Sequence, residues 1–149
     1  MKIASTLAAL LAASSLIASA QATSKDCKPP PKELVMRDLA PGEGKTIGPR
    51  SGALVWYTGW VYDGCKPDLK GAQFDSNRDG KVPFSLLVGT GKVIKGWDEG
   101  LLGMKEKGKR LLIIPPEKAY GAREVAGGKI PANSTLVFEV EVIQVPFQP

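Results

Sequence analysis

Apolar residues recur at Ile94, Trp97, Leu101 and Met104, with Lys95, Asp98 and Glu99 between them. This is the spacing of one helical face, and it predicts an amphipathic helix over residues 92–104 whose apolar stripe meets a core while the charged positions face water. Gly96, Gly100 and Gly103 fall inside it, each costing roughly 1 kcal/mol of helix propensity relative to Ala, so packing must hold the element in place. Gly103, followed by Lys105 and Lys107, marks its end. Elsewhere the pattern is that of strands. Residues 53–62, ALVWYTGWVY, give the strongest strand signal. Leu54, Trp56, Thr58, Trp60 and Tyr62 share one of its faces, and Val55, Tyr57 and Val61 share the other. With large side chains on both faces, such a strand is either central or has its outer face partly covered. Further strands are expected at 33–39, 83–88, 109–114 and 135–145, the last alternating Leu136, Phe138, Val140 and Val142 with Glu139 and Glu141. The order predicts an α+β domain, an antiparallel sheet packed on one short helix.

The connections carry turn chemistry at residues 41–44 and 48–52, with Thr46-Ile47 as a short strand between them. Residues 63–73 are polar, contain Gly64, Pro67 and Gly71, and read as a long loop or flap; residues 77–82 read as a turn. Residues 115–134 show no periodicity, and a loop of that length in a compact domain is usually functional or disordered. Tyr120 and Ile130-Pro131 supply apolar anchors that favour order. Asn133-Ser134-Thr135 fits a glycosylation acceptor, which matters only in a eukaryotic secretory pathway. Gly89-Thr90-Gly91-Lys92 lacks the upstream Gly and the following Ser or Thr of a phosphate loop.

The first twenty residues change the picture of where the protein works. Lys2, the apolar run from Ile3 to Ala18 and the Ala18-Ser19-Ala20 cleavage pattern predict a signal peptide over 1–20. The run is shorter than the roughly 20 residues of a membrane span. Charged residues before Cys27 argue against a lipoprotein. Residues 21–32, ending in Pro29-Pro30-Pro31, form an extended arm before a domain at 33–149. An exported protein is expected, periplasmic or secreted, or in a secretory lumen if eukaryotic; the C-terminal Pro146-Phe147-Gln148-Pro149 is no lumenal retrieval signal. The compartment favours a Cys27–Cys65 disulfide, the alternative being two unpaired thiols.

Without residues 1–20 the chain carries 19 basic and 15 acidic side chains, a net charge of +4, scattered in a way that gives nucleic-acid binding little support. Histidine is absent, which excludes Cys-His and Ser-His catalysis and leaves a zinc site only carboxylates to use. No cofactor or metal is expected. The conspicuous resource is aromatic: Tyr57, Phe74, Phe84, Trp97, Tyr120 and Phe138 lie on or beside elements that can converge on the helix, joined by Val93 and Ile94. Any site must then work by shape, desolvation and a few hydrogen bonds.

Tyr57-Thr58-Gly59, Phe74-Asp75-Ser76, Pro83-Phe84, Gly89, Val93 to Gly100, Ile114 to Glu117, Ala119-Tyr120-Gly121, Ile130-Pro131 and Thr135 to Phe138 occur in the order found in FKBP-type peptidyl-prolyl cis-trans isomerases. The chain resembles that family over roughly residues 33–145. The resemblance implies a curved antiparallel sheet wrapped around one short helix, and a pocket between them that accelerates rotation about Xaa-Pro bonds. It implies that Tyr57, Phe74, Asp75, Ile94, Trp97, Tyr120 and Phe138 are catalytic and that Phe84, Val93 and Ile130 help to bind substrate. Trp97 would be the floor under the prolyl ring, with Tyr57, Phe74, Phe84 and Phe138 as walls. The Ile94 N–H and Tyr120 hydroxyl would donate to substrate carbonyls. Implied partners are folding polypeptides with Xaa-Pro bonds and the family's macrolide inhibitors, with a monomer as the default and no stable membrane insertion after signal removal.

Three departures from the family pattern bear on substrate preference and macrolide affinity. The 57–74 segment is longer than in the smallest members and contains Cys65. Lys129 precedes Ile130 where an apolar residue is often found, in a loop one residue longer. Gly80 stands where a basic side chain often pairs with the pocket Asp. Two other readings use the same aromatics: a non-catalytic module or chaperone that holds proline-containing segments, and a purely structural core.

Overall fold

The computed structural model of the chain describes residues 26–149, so the signal-peptide expectation for 1–20 and the first part of the arm lie outside the described residues. Six strands, β1 (Val35–Ala40), β2 (Gly52–Tyr62), β3 (Lys70–Ser76), β4 (Phe84–Leu87), β5 (Lys109–Ile114) and β6 (Leu136–Gln144), form one antiparallel sheet. Among the described residues a single α-helix, α1 (Lys95–Gly100), follows β4. The strand order is β1-β5-β6-β2-β3, with β4 pairing to β2.

β2 is central, pairing with β3, β4 and β6. Its inner side buries Ala53 and Val55 with Phe138, Val140 and Val142 of β6, Leu112 and Ile114 of β5, and Trp97, Leu101 and Met104 from the α1 region. Its outer side is partly covered as well: Trp60 and Tyr62 pack with Leu69 on Leu111, Ile113 and Val137. Both options left open for this strand therefore hold. The apolar period of β6 put Leu136, Phe138, Val140 and Val142 in the core, and Glu139 and Glu141 outside.

The helix is shorter than its apolar stripe. At its start Ile94 is extended (φ −56°, ψ 146°). At its end Gly103 takes φ +79° and gives its N–H to the Ile47 carbonyl, while the Ile47 N–H donates to the Met104 carbonyl. Leu101 and Met104 stay buried, but the backbone beyond Gly100 pairs with the Thr46-Ile47 segment in place of a further helical turn. Gly96 also has a role that its low propensity hides. A Cβ there would lie 2.4 Å from the Ile114 side chain, so the glycine lets α1 rest directly on β5.

Asp98, expected to face water, accepts hydrogen bonds from the Gly89 and Gly91 N–H groups, both at 2.8 Å. It ties the loop entering the helix to the helix itself. The expected flap at 63–73 is shorter, because β3 begins at Lys70 and pairs with Tyr62 through a bulged register. Its polar composition hid an edge strand. The arm is held at this end of the sheet by a Cys27–Cys65 disulfide, with Cα atoms 4.2 Å apart, and by the Lys28 N–H on the Gly64 carbonyl at 2.9 Å. Among the described residues no helix is long and apolar enough to cross a membrane. The long 115–134 connection is ordered around two single-turn 3-10 helices, Pro116–Lys118 and Ala126–Gly128.

Candidate active site

The sheet's inner face, α1 and the 115–134 connection leave an open cavity of about 690 Å³, and every aromatic residue singled out from the sequence lines it. Trp97, buried at the first turn of α1, is its floor. Three rings meet the indole edge-on: Tyr57 at 5.1 Å between centroids, Phe138 at 5.3 Å and Phe84 at 6.0 Å. Phe74 stands at 5.5 Å from Phe138. Such T-shaped packing sets the positive edge of one ring on the negative face of another and fixes the walls without a polar partner. The Trp97 Nε1 is buried without a hydrogen bond within the described residues.

The backbone positions these rings. Tyr57 and Phe138 come from adjacent central strands β2 and β6, and Phe74 from edge strand β3. Phe74 and Phe138 meet over Gly59, where a Cβ would come within 2.6 Å of Phe74 and 2.7 Å of Phe138. The Asn77 side chain replaces a strand partner beside Tyr57, its Oδ1 accepting from the Tyr57 N–H at 2.7 Å and its Nδ2 donating to the Val55 carbonyl at 3.1 Å. Nothing in the sequence marked this asparagine, which reads as an ordinary turn residue there.

The Tyr57 hydroxyl donates to Asp75 Oδ2 at 2.6 Å. Partial burial, with the bonded Asp75 carboxylate next in effect, pushes the Tyr57 phenol well above the ordinary tyrosine range. Burial also raises Tyr120, helped by the Asp75 charge and opposed by Arg123. Both phenols are thus held neutral, as donors. The Tyr120 hydroxyl and the Ile94 N–H have no hydrogen-bond partner among the described residues, and both belong to cavity-lining residues. Asp75 forms no ion pair among the described residues. Gly80 lies in a turn closed by its N–H on the Asn77 carbonyl, and nearby Arg78 pairs with Glu141 instead.

Val93 lines the main cavity with the rest, but Ile130 does not. Reciprocal backbone bonds with Val125 turn Ile130 inward, where it is buried and borders an adjoining recess of about 430 Å³ that shares Phe74, Asp75 and Tyr120 with the main cavity. Sequence reasoning missed Lys92, Lys95, Glu117, Ala119 and Arg123, which also line the cavity. Their closeness in sequence to Val93, Trp97 and Tyr120 was the available signal. Among the described residues no cluster of His, Cys, Asp and Glu could hold a metal ion. What remains is an aromatic cup bearing the Tyr120 hydroxyl and the Ile94 N–H as unpaired donors, with the Asp75 and Glu117 carboxylates and three basic side chains also on its lining.

Residues 44–143 match the family model of the FKBP-type peptidyl-prolyl cis-trans isomerases. The chain belongs to that family. The FK506-binding protein of Neisseria meningitidis serogroup A is 49% identical over 112 residues, covering 75% of this chain and 95% of that protein. FK506-binding protein 1 of Aspergillus oryzae is 48% identical over 107 residues, covering 68% of this chain and 90% of its own. The crystal structure of AtFKBP13 is similar with a TM-score of 0.65 and 34% identity, over 78% of this chain and 95% of that one. The fold is the FKBP fold, and the enzyme class is peptidyl-prolyl cis-trans isomerase.

Proposed function

We propose that the aromatic cavity is where this FKBP-type enzyme turns Xaa-Pro bonds, by a wholly non-covalent route, in proteins folding after export. The observation that carries the reading is the convergence of Tyr57, Phe84 and Phe138 on buried Trp97, with Phe74 against Phe138, in an open cavity with two unsatisfied donors on its wall. The barrier to amide rotation is about 18–20 kcal/mol and comes from resonance that favours the planar, polar form. A prolyl ring on Trp97, walled by Tyr57, Phe74, Phe84 and Phe138, would lose the water that supports that polar form. The Ile94 N–H and Tyr120 hydroxyl would hold the carbonyls flanking the bond, with Val93 at the rim. Asp75, bonded by Tyr57, keeps that phenol turned along the wall. Only interactions better satisfied in the twisted than in the planar state raise the rate, and a millionfold gain needs about 8 kcal/mol of such preference.

The apolar run before Ala18-Ser19-Ala20 and the Cys27–Cys65 bridge support export. Uncatalysed Xaa-Pro exchange takes tens to hundreds of seconds, slow enough to limit folding of newly exported chains. The cavity is also the expected seat for FK506, which the names of the relatives record for those proteins.

The test is cis-to-trans exchange of a proline tetrapeptide by mature protein, whose N-terminus is expected at Gln21. Acceleration should be blocked by FK506, lowered roughly tenfold or more by Asp75→Ala, and reduced severalfold by Tyr120→Phe. A folded protein that binds proline peptides without accelerating exchange would replace this reading with that of a binding module.

A further inference from the structure

The cavity is apolar inside but not neutral at its mouth. Lys92, Lys95 and Arg123 line it, and Lys129 lines the adjoining recess. All four are exposed, and none forms an ion pair among the described residues. Two acids stand against them. Asp75 has one oxygen engaged by the Tyr57 hydroxyl, and Glu117 is exposed on the first 3-10 turn. The mouth therefore carries an excess of positive charge over walls of low dielectric, a geometry that concentrates field and attracts oppositely charged segments. The four basic groups come from two stretches distant in sequence, the entry to α1 and the 115–134 connection, and the fold alone brings them to one opening.

We propose that this basic rim makes the enzyme selective for Xaa-Pro segments that carry acidic residues next to the proline, and that Lys92 and Lys95 are its specificity-determining residues. The preference rests on the catalytic reading of the cavity. Charge complementarity of exposed groups acts mainly on encounter and on rejection of like-charged partners. Each exposed pair has a small effect, so the expected discrimination is a few-fold per charge and is carried by kcat/KM. Salt should erase it, since the screening length falls from about 10 Å at 0.1 M to about 3 Å at 1 M.

The experiment compares matched proline peptides with Glu, Gln or Lys immediately before the proline or immediately after it, with uncatalysed exchange subtracted. At low ionic strength kcat/KM should follow Glu, then Gln, then Lys in at least one set, with a Glu-to-Lys ratio of roughly tenfold that falls towards one in 1 M salt. Lys92→Gln/Lys95→Gln should bring the ratio near one, and Lys92→Glu/Lys95→Glu should invert it. Lys32→Glu/Lys66→Glu makes the same change in net charge on exposed residues outside both cavities and should leave the ratio as it was. All substituted lysines are exposed, and near-ultraviolet circular dichroism checks that each variant is folded. Equal rates for the Glu and Lys peptides at low salt would overturn the proposal. So would a preference that survives high salt or the rim substitutions. Failure to accelerate even the Gln peptide would instead bring down the catalytic reading, and the preference with it.

Discussion

Strand β2 presents aromatic rings on both sides of the sheet, and the two sides have opposite fates. On the outer side, Trp60 lies under the Lys70 ammonium, 4.4 Å from its ring centroid, and Lys70 is itself paired with Glu139. The Tyr62 hydroxyl is shared between the Lys28 and Pro29 carbonyls at 3.1 and 3.2 Å, beneath the arm that the disulfide pins down. The Trp60 ring face and the Tyr62 hydroxyl are both engaged there by the chain's own atoms. On the inner side, Tyr57 and its neighbours are braced from behind by the core but left open in front, and Tyr120 and Ile94 keep a donor each unused. Aromatic density therefore does not mark a site. A site is where the chain supports the rings without covering them.

The comparison is broken most severely from inside. Phe138 touches Phe74, Tyr57 and Trp97 and is 4% exposed, so Phe138→Ala removes the ring that links the walls. A loss of about 3–5 kcal/mol is expected from large-to-small core substitution, read from the urea midpoint. Exchange activity should fall with it, measured at a temperature where the variant remains folded. If activity survived in folded Phe138→Ala, this wall would be core and not site.

The outer cover should behave in the opposite way. Opening the bridge with Cys27→Ser/Cys65→Ser frees the arm over Tyr62 and removes a crosslink spanning 38 residues. In the chain-entropy model such a loop is worth about 4 kcal/mol, and measured effects typically run about 2–4. Stability should drop by that order while kcat/KM changes less than about twofold, because no described residue of the arm lines the cavity. A parallel loss of activity would show that the two faces are coupled through β2.

The strands and the identity of the rings were readable because β-branched and aromatic runs with a period of two have few alternatives; Lys109–Ile114 is recovered to the residue. The helix was read too long because Leu101 and Met104 keep helical spacing although the Gly103 and Met104 backbone pairs with Ile47, a contact more than fifty residues away in sequence. Gly96 looked like a weakness because propensity is local, whereas the contact with Ile114 that requires it is not. The aromatic set stood out in the sequence, but its assignment to a pocket and not to an ordinary core came only from the resemblance to a family. The inward turn of Ile130, the bracing of Tyr57 by Asn77 and the gathering of Lys92, Lys95 and Arg123 at one opening are products of tertiary geometry, and spacing along the chain carries none of them.

The smallest expected effect sharpens the comparison by pH. Tyr57 and Tyr120 ionise above the ordinary value of 10.0, in both cases chiefly because burial disfavours the phenolate and then because of Asp75. Up to pH 10 both the folded and the unfolded chain keep these protons, so the contribution to stability is fully present and independent of pH. Above pH 10 the unfolded chain releases them while the folded chain retains them, so the unfolded state binds fewer protons and stability must decline as pH rises, by at most one proton's slope for each tyrosine. Exchange activity should accordingly stay level from pH 7 to 10, since the Tyr120 donor and the Tyr57–Asp75 bond persist throughout. Urea midpoints should begin to fall only beyond that range, with the fall reduced in Tyr57→Phe and in Tyr120→Phe. An activity loss centred well below pH 10 and absent from Tyr120→Phe would mean that the wall is wetter than its packing indicates, and that the inner face is open to solvent behind the rings as well as in front of them.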